Sequence, residues 1–439
     1  MDWKTQYKEK LTTAEEAINI IKSGDYVAFA YGVEPFALGL AVLNRGIELG
    51  GLKVVVPAPG RDFGWYDPGM ESIFQVEVAH VLPVMQQTMA ERRCDFVVGS
   101  LSWSHEPGVR RQPDVLITQL STPDEHGYCS MGASLWNKKK AIMDAKMVLA
   151  EINESLVRTY GDNFIHISEI DYCVEHTPSG RMPGATDMLG RKTTEPGERE
   201  KKIRDHVASL IKDGDCLEIG VGGVAEWLFK LGAFEGKKDL GIHSENLPPG
   251  IVDLVRRGII TGQRKQIHKG KVVSTACGGS SKEDMDFINM NPIFELYSSD
   301  YVLDPRVIST NDNVVAINSA LSIDLTGQIA AESIGSRMIS STGGQLAFAI
   351  GANLSKSGRN VTLLTATASG DTISRIVPSL TMGTIVTVPR TITDIVVTEY
   401  GIAYLKGKTQ RERAEALIDV AHPKFRDGLK EQAQKLFYP

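Results

Sequence analysis

The feature that most constrains this chain is an internal duplication. Ile21-Lys22-Ser23-Gly24-Asp25-Tyr26-Val27 is echoed by Ile211-Lys212-Asp213-Gly214-Asp215-Cys216-Leu217 at a constant offset of 190 residues, and Gly32 falls on Gly222 at the same offset. Each stretch follows an amphipathic run, Ala14 to Ile21 in one case and Ile203 to Ile211 in the other. The shared pattern reads helix, Gly-Asp turn, short β-rich strand, glycine-containing loop, second helix. A chain of 439 residues has room for two such units, each large enough to bury its own core. The polar Thr193-Thr194-Glu195-Pro196-Gly197-Glu198 stretch is the natural junction, so two domains are expected over 1–195 and 196–439.

Strand-like segments recur with helices between them: Lys53 to Pro57, Phe96 to Val98, Val115 to Gln119, Met147 to Glu151, Val361 to Thr365 and Ile395 to Thr398. Runs such as Met147-Val148-Leu149-Ala150 and Val361-Thr362-Leu363-Leu364 are apolar without alternation, as in parallel strands covered on both faces. The expected fold class is α/β, two similar domains on mostly parallel sheets. Such sheets take ligands at the carboxyl ends of their strands, so a cleft between the two domains is the expected active site.

Composition excludes several functions. With 48 Lys plus Arg against 54 Asp plus Glu, the net charge is −6, and there is no basic footprint for nucleic acid or an anionic membrane surface. No apolar run approaches the roughly 20 residues of a membrane span, and the polar start Met1-Asp2-Trp3-Lys4 has no secretory h-region. Cys94, Cys129, Cys173, Cys216 and Cys277 are scattered, with no CxxC spacing, and the nine histidines form no HxH or HExxH. The expectation is a cytoplasmic, reduced protein without structural metal. Glycine is enriched, at 42 residues, which means many turns or backbone brought close to a ligand.

Three segments carry candidate chemistry. Gly220-Val221-Gly222-Gly223-Val224 follows a strand over 215–219 and precedes a helical stretch over 225–230, a geometry that offers backbone N–H groups to a phosphate or carbonyl oxygen. Such loops also arise where a helix packs tightly on a strand. Ala225 stands where a dinucleotide fingerprint has its third glycine, a tolerated change, so the loop alone does not separate a nicotinamide enzyme from other nucleotide binders. Glu245, in Gly241-Ile242-His243-Ser244-Glu245-Asn246, sits after a strand-like segment and before a Pro-Pro-Gly turn. A carboxylate at a strand end is a candidate nucleophile or base; equally, it could belong to the N-cap region of a helix over 251–257. In Ser341-Thr342-Gly343-Gly344-Gln345, glycines again open a helix-like segment, followed by Gly351-Ala352-Asn353 and Lys356-Ser357-Gly358.

The order of these motifs, Gly220-Val221-Gly222-Gly223, Ser244-Glu245-Asn246, the stretch Asn318 to Gln328, Gly343-Gly344-Gln345 and Val397 to Thr409, resembles the acetyl-CoA hydrolase/transferase family nearly end to end. Tyr66 to Glu71 and Arg158 to His166 look like the same family in the first half. Within it the likeness is greatest to 4-hydroxybutyrate and butyryl-CoA:acetate CoA-transferases. The resemblance implies that Glu245 is a nucleophile that becomes a γ-glutamyl-CoA thioester, with coenzyme A as substrate and neither metal nor redox cofactor. It implies that Gly220, Val221, Gly222, Gly223 and Val224 form a first CoA-binding loop, that Gly343 and Gly344 form a second at the thioester and pantetheine arm, and that Asn318 and Lys356 lie near CoA. It also suggests a homodimer.

The resemblance has one departure. Relatives commonly carry Asp and Arg where this chain has Ala347 and Ile350. Losing that charge pair bears on the acyl pocket and opens the choice of acid beyond acetate and butyrate, to a succinyl-CoA-linked enzyme acting on a dicarboxylate such as itaconate. Arg61 and Asp62, in the glycine-containing loop before Trp65-Tyr66, are candidate acyl contacts; the alternative is a solvated loop charge. Two other readings share the motifs: a thioester hydrolase on the same scaffold, and a non-catalytic CoA-binding module.

Overall fold

A computed structural model describes residues 2–32, 34–99, 101, 111–178, 195–277 and 281–438. The chain forms two compact units, one combining residues 1–191 with 274–301 and the other combining 192–273 with 302–439. The chain therefore returns to the first unit after entering the second. Within the first unit, residues 274–301 are tied in by backbone bonds: the Leu135 N–H donates to the Thr275 carbonyl (3.0 Å) and the Met290 N–H to that of Arg158 (2.8 Å).

Unit 1 is built on eight strands: β1 (Leu11–Thr12), β2 (Tyr26–Phe29), β3 (Leu52–Val55), β4 (Phe74–Val78), β5 (Asp95–Phe96), β6 (Val115–Leu120), β7 (Met147–Ile152) and β8 (Tyr172–Glu175). They lie in the order β1-β8-β7-β6-β2-β3-β4-β5, every pair parallel. Helices α1 (Ala14–Ile18), α2 (Phe36–Leu49) and α3 (Lys138–Asp144) belong to it. Every residue of β2 and β6 is buried, which is why these strands read as unbroken apolar runs.

Unit 2 repeats the plan. Its strands β9 (Cys216–Ile219), β10 (Gly241–Asn246), β11 (Val314–Ser319), β12 (Arg359–Leu363), β13 (Ile395–Thr398) and β14 (Gly401–Tyr404) lie in the order β14-β13-β12-β11-β9-β10. All pairs are parallel except β13 with β14. The order β8-β7-β6-β2-β3 in unit 1 matches β13-β12-β11-β9-β10 in unit 2, so the expected pair of similar α/β units on mostly parallel sheets is found, and they also share a strand order. The sequence repeat maps residue for residue: β2 spans 26–29 and β9 spans 216–219. In both, an aspartate closes the preceding turn, Asp25 Oδ2 accepting from the Lys22 N–H (2.8 Å) and Asp215 Oδ2 from the Lys212 N–H (2.7 Å). Gly32 and Gly222 carry φ of 115° and 118°, left-handed backbone that favours glycine, so each strand leaves the sheet through the same turn.

Helices α4 (Glu198–Leu210), α5 (Trp227–Lys230), α6 (Ile251–Arg256) and α7 (Gln345–Leu354) flank the second sheet, and α8 (Gln410–Asp419) and α9 (Pro423–Phe437) close the chain. Leu417, Ile418, Leu429 and Ala433 of α8 and α9 share a buried cluster with Val396 and Ala403. The helical stretch expected over 225–230 shrinks to the four residues of α5, with turns on either side. The loop before it therefore offers ligand its own N–H groups, not a long helix dipole.

Candidate active site

Two turns of unit 2 flank one strand end. Strand β10 runs parallel to β9 with Gly241 opposite Cys216 and Ile242 opposite Leu217, so Glu245, near its carboxyl end, comes level with Gly220, where the first glycine loop begins. Strand alternation puts Glu245 and His243 on the face that carries Glu218. The Gly344 N–H donates to Glu245 Oε2 in a short contact. Gly344 is the N-cap of α7, so the carboxylate lies at the positive end of a ten-residue helix. A Cβ on Gly344 would collide with Glu245 Oε2 and come within 3.0 Å of Leu303 Cδ2 and 3.1 Å of Phe348 Cδ2. One on Gly343 would sit 3.5 Å from Glu245 Oε2, an ordinary contact. Glycine is thus required at 344 for closeness to the carboxylate. The φ of −79° there makes no such demand.

Burial pushes the Glu245 carboxyl up to about 7, against the lowering effect of the Gly344 N–H. Glu245 still keeps some solvent exposure, whereas Glu218, on β9, is 2% exposed. Burial raises Glu218 well above the usual carboxylate range; the Glu245 charge adds to this, and the amide of Asn318 opposes it. Asn318 Nδ2 donates to Glu218 Oε2 at 2.8 Å. Two carboxyls share one sheet face, and burial disfavours charge on the inner one. The ring of His243 is buried beside them, its Nε2–H donating to the Val302 carbonyl (2.8 Å), and burial lowers its pKa to about 3. A neutral imidazole on this face adds no positive charge beside Glu245.

The loop Gly220 to Val224 is pinned from β11. Ser319 Oγ donates to the Gly222 carbonyl (2.8 Å) and accepts from the Ala225 N–H (3.3 Å). Gly220 lies against Asn318, whose Cγ would be 3.1 Å from an added Cβ. Val221 is an exposed apolar residue at the loop tip and Val224 is buried. In the second loop, Thr342 Oγ1 donates to the buried Glu332 Oε2 (2.6 Å), fixing the approach to Gly343.

The structure thus gathers Glu245, Gly220, Asn318, Gly343 and Gly344 at one strand-end cluster, with Val221, Gly222, Gly223 and Val224 in the adjoining loop. It does not bring Lys356 there. Lys356 precedes β12, and its carbonyl accepts from the Asn313 N–H just before β11, at the amino ends of these strands. Its side chain is 82% exposed and faces Asp312 at 3.9 Å. Asn318 and Ser319 are the last two of the six residues of β11, so roughly 15–20 Å of strand separates them from that edge. Nor does Glu245 serve helix α6: the N-cap there is Gly250. Ala347 is buried in α7 and Ile350 partly so, placing the departure from the Asp/Arg pattern inside the unit. In unit 1, Arg61 is 7% exposed, its charge acting on buried Glu34, so the solvated-loop alternative fails for it. Asp62 is exposed and accepts the Gly64 N–H at 2.8 Å.

Glu218, Ser319 and His243 were not singled out from sequence. Glu218 had a signal: a lone carboxylate inside the apolar run Cys216 to Ile219. Among the described residues, no group of three or more His, Cys, Asp or Glu is placed to hold a metal ion.

Comparison with known proteins identifies the family and the fold. The acetyl-CoA hydrolase/transferase N-terminal domain model matches residues 1–179 and the C-terminal domain model residues 280–433. The chain is 41% identical to the 4-hydroxybutyrate coenzyme A transferase of Clostridium kluyveri over the full length of both. It is 33% identical to the butyryl-CoA:acetate CoA-transferase of Anaerostipes caccae, covering 99% of this chain and 98% of that one. Among solved structures, RipA from Yersinia pestis superposes with a TM-score of 0.90 at 33% identity, covering all of both chains. The 4-hydroxybutyrate CoA-transferase of Porphyromonas gingivalis gives 0.79 at 34%, covering 99% of this chain and 100% of that one.

Proposed function

The chain belongs to the acetyl-CoA hydrolase/transferase family, and from that premise we propose that it is an acyl-CoA:carboxylate CoA-transferase with Glu245 as its nucleophile. The observation that carries the proposal is the setting of Glu245: a strand-end carboxylate of raised basicity, one oxygen held by the Gly344 N–H, between two glycine turns.

The chemistry follows from that setting. With Oε2 held, Oε1 attacks the thioester carbonyl of an acyl-CoA. The tetrahedral oxyanion needs fixed donors, which backbone N–H groups of the Gly220 to Val224 loop and of the Gly343-Gly344 turn are suited to provide. The C–S bond breaks, leaving an acyl-glutamyl anhydride and CoA thiolate. The thiolate adds to the glutamyl carbonyl, expels the acid as its carboxylate and leaves CoA bound to Glu245 as a thioester. A second acid attacks that thioester, and the steps run in reverse. One thioester is exchanged for another, so no energy source is required. Binding energy from the nucleotide and pantetheine, remote from the reacting atoms, drives the approach. Water must be excluded, since it would hydrolyse both intermediates.

The acids are short-chain carboxylates of the kind named for the relatives, 4-hydroxybutyrate, butyrate, acetate or a succinyl group; itaconate, raised by Ala347 and Ile350, belongs on the same panel. The reading includes a cytoplasmic homodimer. The test supplies butyryl-CoA with and without isotopically labelled acetate. Acetyl-CoA forming from the labelled acid, with free CoA release far slower, supports transfer. Equal release of CoA with and without acceptor would mean hydrolysis, and no turnover with any acid would leave a binding module.

A further inference from the structure

Beside the turn that opens the repeat in unit 1 lies a buried cation. Gly32, the counterpart of Gly222, turns the chain out of β2 with the same left-handed backbone. A Cβ there would meet Ser134 Oγ at 2.8 Å and Lys138 Nζ at 3.3 Å, so both polar groups face the same point beside the turn. Lys138 is 5% exposed and Ser134 8%. Among the described residues, Ser134 Oγ has no hydrogen-bond partner, and the Lys138 ammonium makes one bond, to the Met131 carbonyl at 3.3 Å, with no carboxylate paired to it. An ammonium buried without a counter-charge is costly, and a hydroxyl buried without a partner adds to that cost.

We propose that Lys138, Ser134 and the Gly32 turn form a binding site in unit 1 for the carboxylate of a small organic acid. The site stands on unit 1 alone and does not depend on the chemistry assigned to Glu245. One ammonium and one hydroxyl match the two oxygens of a carboxylate, whereas a phosphate dianion needs more donors. The flanking residues are aromatic: Tyr31, next to Gly32, stacks against Trp136 with centroids 5.6 Å apart, which suits an acid with a short carbon chain. Burial lowers the Lys138 pKa to about 7, and no charged neighbour contributes. Lys139 and Lys140, next on α3, pair outward with Asp162 and Asp144, and His80, edge-on to Tyr31, is kept neutral by burial. An anion seated beside Lys138 restores its charge, so binding above its pKa takes up a proton.

The experiment is calorimetric titration of the full chain, without CoA, with acetate, butyrate, succinate or inorganic phosphate at about pH 8 in buffers of different ionisation enthalpy. Glu245→Gln is carried in every protein so that this carboxyl, raised to about 7, adds no proton. Glu34, two residues from Gly32 and also pushed up to about 7 by burial, is present in every variant, so the proton uptake assigned to Lys138 is read as the difference from Lys138→Met. The expected result is uptake approaching one proton per acid bound. Lys138→Met should abolish the uptake and weaken acid binding by roughly tenfold or more. It should also leave the unliganded protein no less heat-stable, since it removes an uncompensated charge; a purely structural lysine would lower the melting temperature instead. Ser134→Ala should weaken binding severalfold and keep the uptake. If Lys138→Met does not fold, Lys138→Gln takes its place. Acid binding unchanged in the Lys138 variant, no proton uptake, or phosphate binding as tightly as the acids would overturn the proposal. None of these outcomes bears on whether Glu245 forms a CoA thioester.

Discussion

Glu245 gains its chemistry from two neighbours: Glu218, which a motif search does not reach, and Gly344, which it does. Burial disfavours charge on Glu218, which Asn318 holds in place, so a like charge beside Glu245 is suppressed, and the Gly344 N–H orients the Glu245 carboxylate. Because burial holds the Glu245 carboxyl at about 7, its nucleophilic form is lost as pH falls below that value. The rate of glutamyl-CoA formation should rise with pH through about 7 and level off above it, read from single-turnover kinetics across the range; a flat profile down to pH 5 would contradict the assignment. Gly344→Ala places a methyl group against Oε2. It should cost about 10²–10³ in kcat, the scale of losing a positioned donor, while a circular dichroism spectrum shows the fold intact. At this scale the sequence revealed the strand-end carboxylate and both glycine turns. Lys356 stands apart from Glu245 because nearness along the chain to the second turn says nothing of strand direction, and the turn and Lys356 lie at opposite ends of α7 and its flanking strands.

At the scale of elements, apolar runs marked the buried parallel strands, and the 190-residue offset marked two like units; the strand order came only from the structure. The same runs do not fix where a helix stops, so α5 came out short of its expected span. The two Gly-Asp turns look equivalent in sequence but differ in burial. Asp25 is partly exposed and closes its turn alone, whereas Asp215 is 1% exposed and also pairs with Arg359. Asp25→Ala should cost about 1 kcal/mol, one turn hydrogen bond. Asp215→Ala should cost about 3 kcal/mol or more, because it strands the mostly buried Arg359 guanidinium. Denaturant unfolding of both variants checks the ratio; equal losses would mean that the Arg359 pair contributes nothing.

At the scale of the whole molecule, two like units were legible from the repeat, but the return of residues 274–301 was not. No periodicity marks it; it rests on long-range backbone bonds such as that from Met290 to Arg158. A fragment ending at residue 195 lacks that segment and should fail to unfold cooperatively, whereas one in which 274–301 is restored through a flexible linker should recover a sigmoidal melt. Among the described residues, no helix is long and apolar enough to cross a membrane.

The central claim is that coenzyme A becomes covalently attached to one carboxylate. Incubation with butyryl-CoA, hydroxylamine or borohydride trapping, and peptide mapping by mass spectrometry test it most directly. The account predicts a trapped adduct on the peptide carrying Glu245, absent in Glu245→Gln. Turnover with no adduct, or an adduct mapping to any other residue, would contradict it.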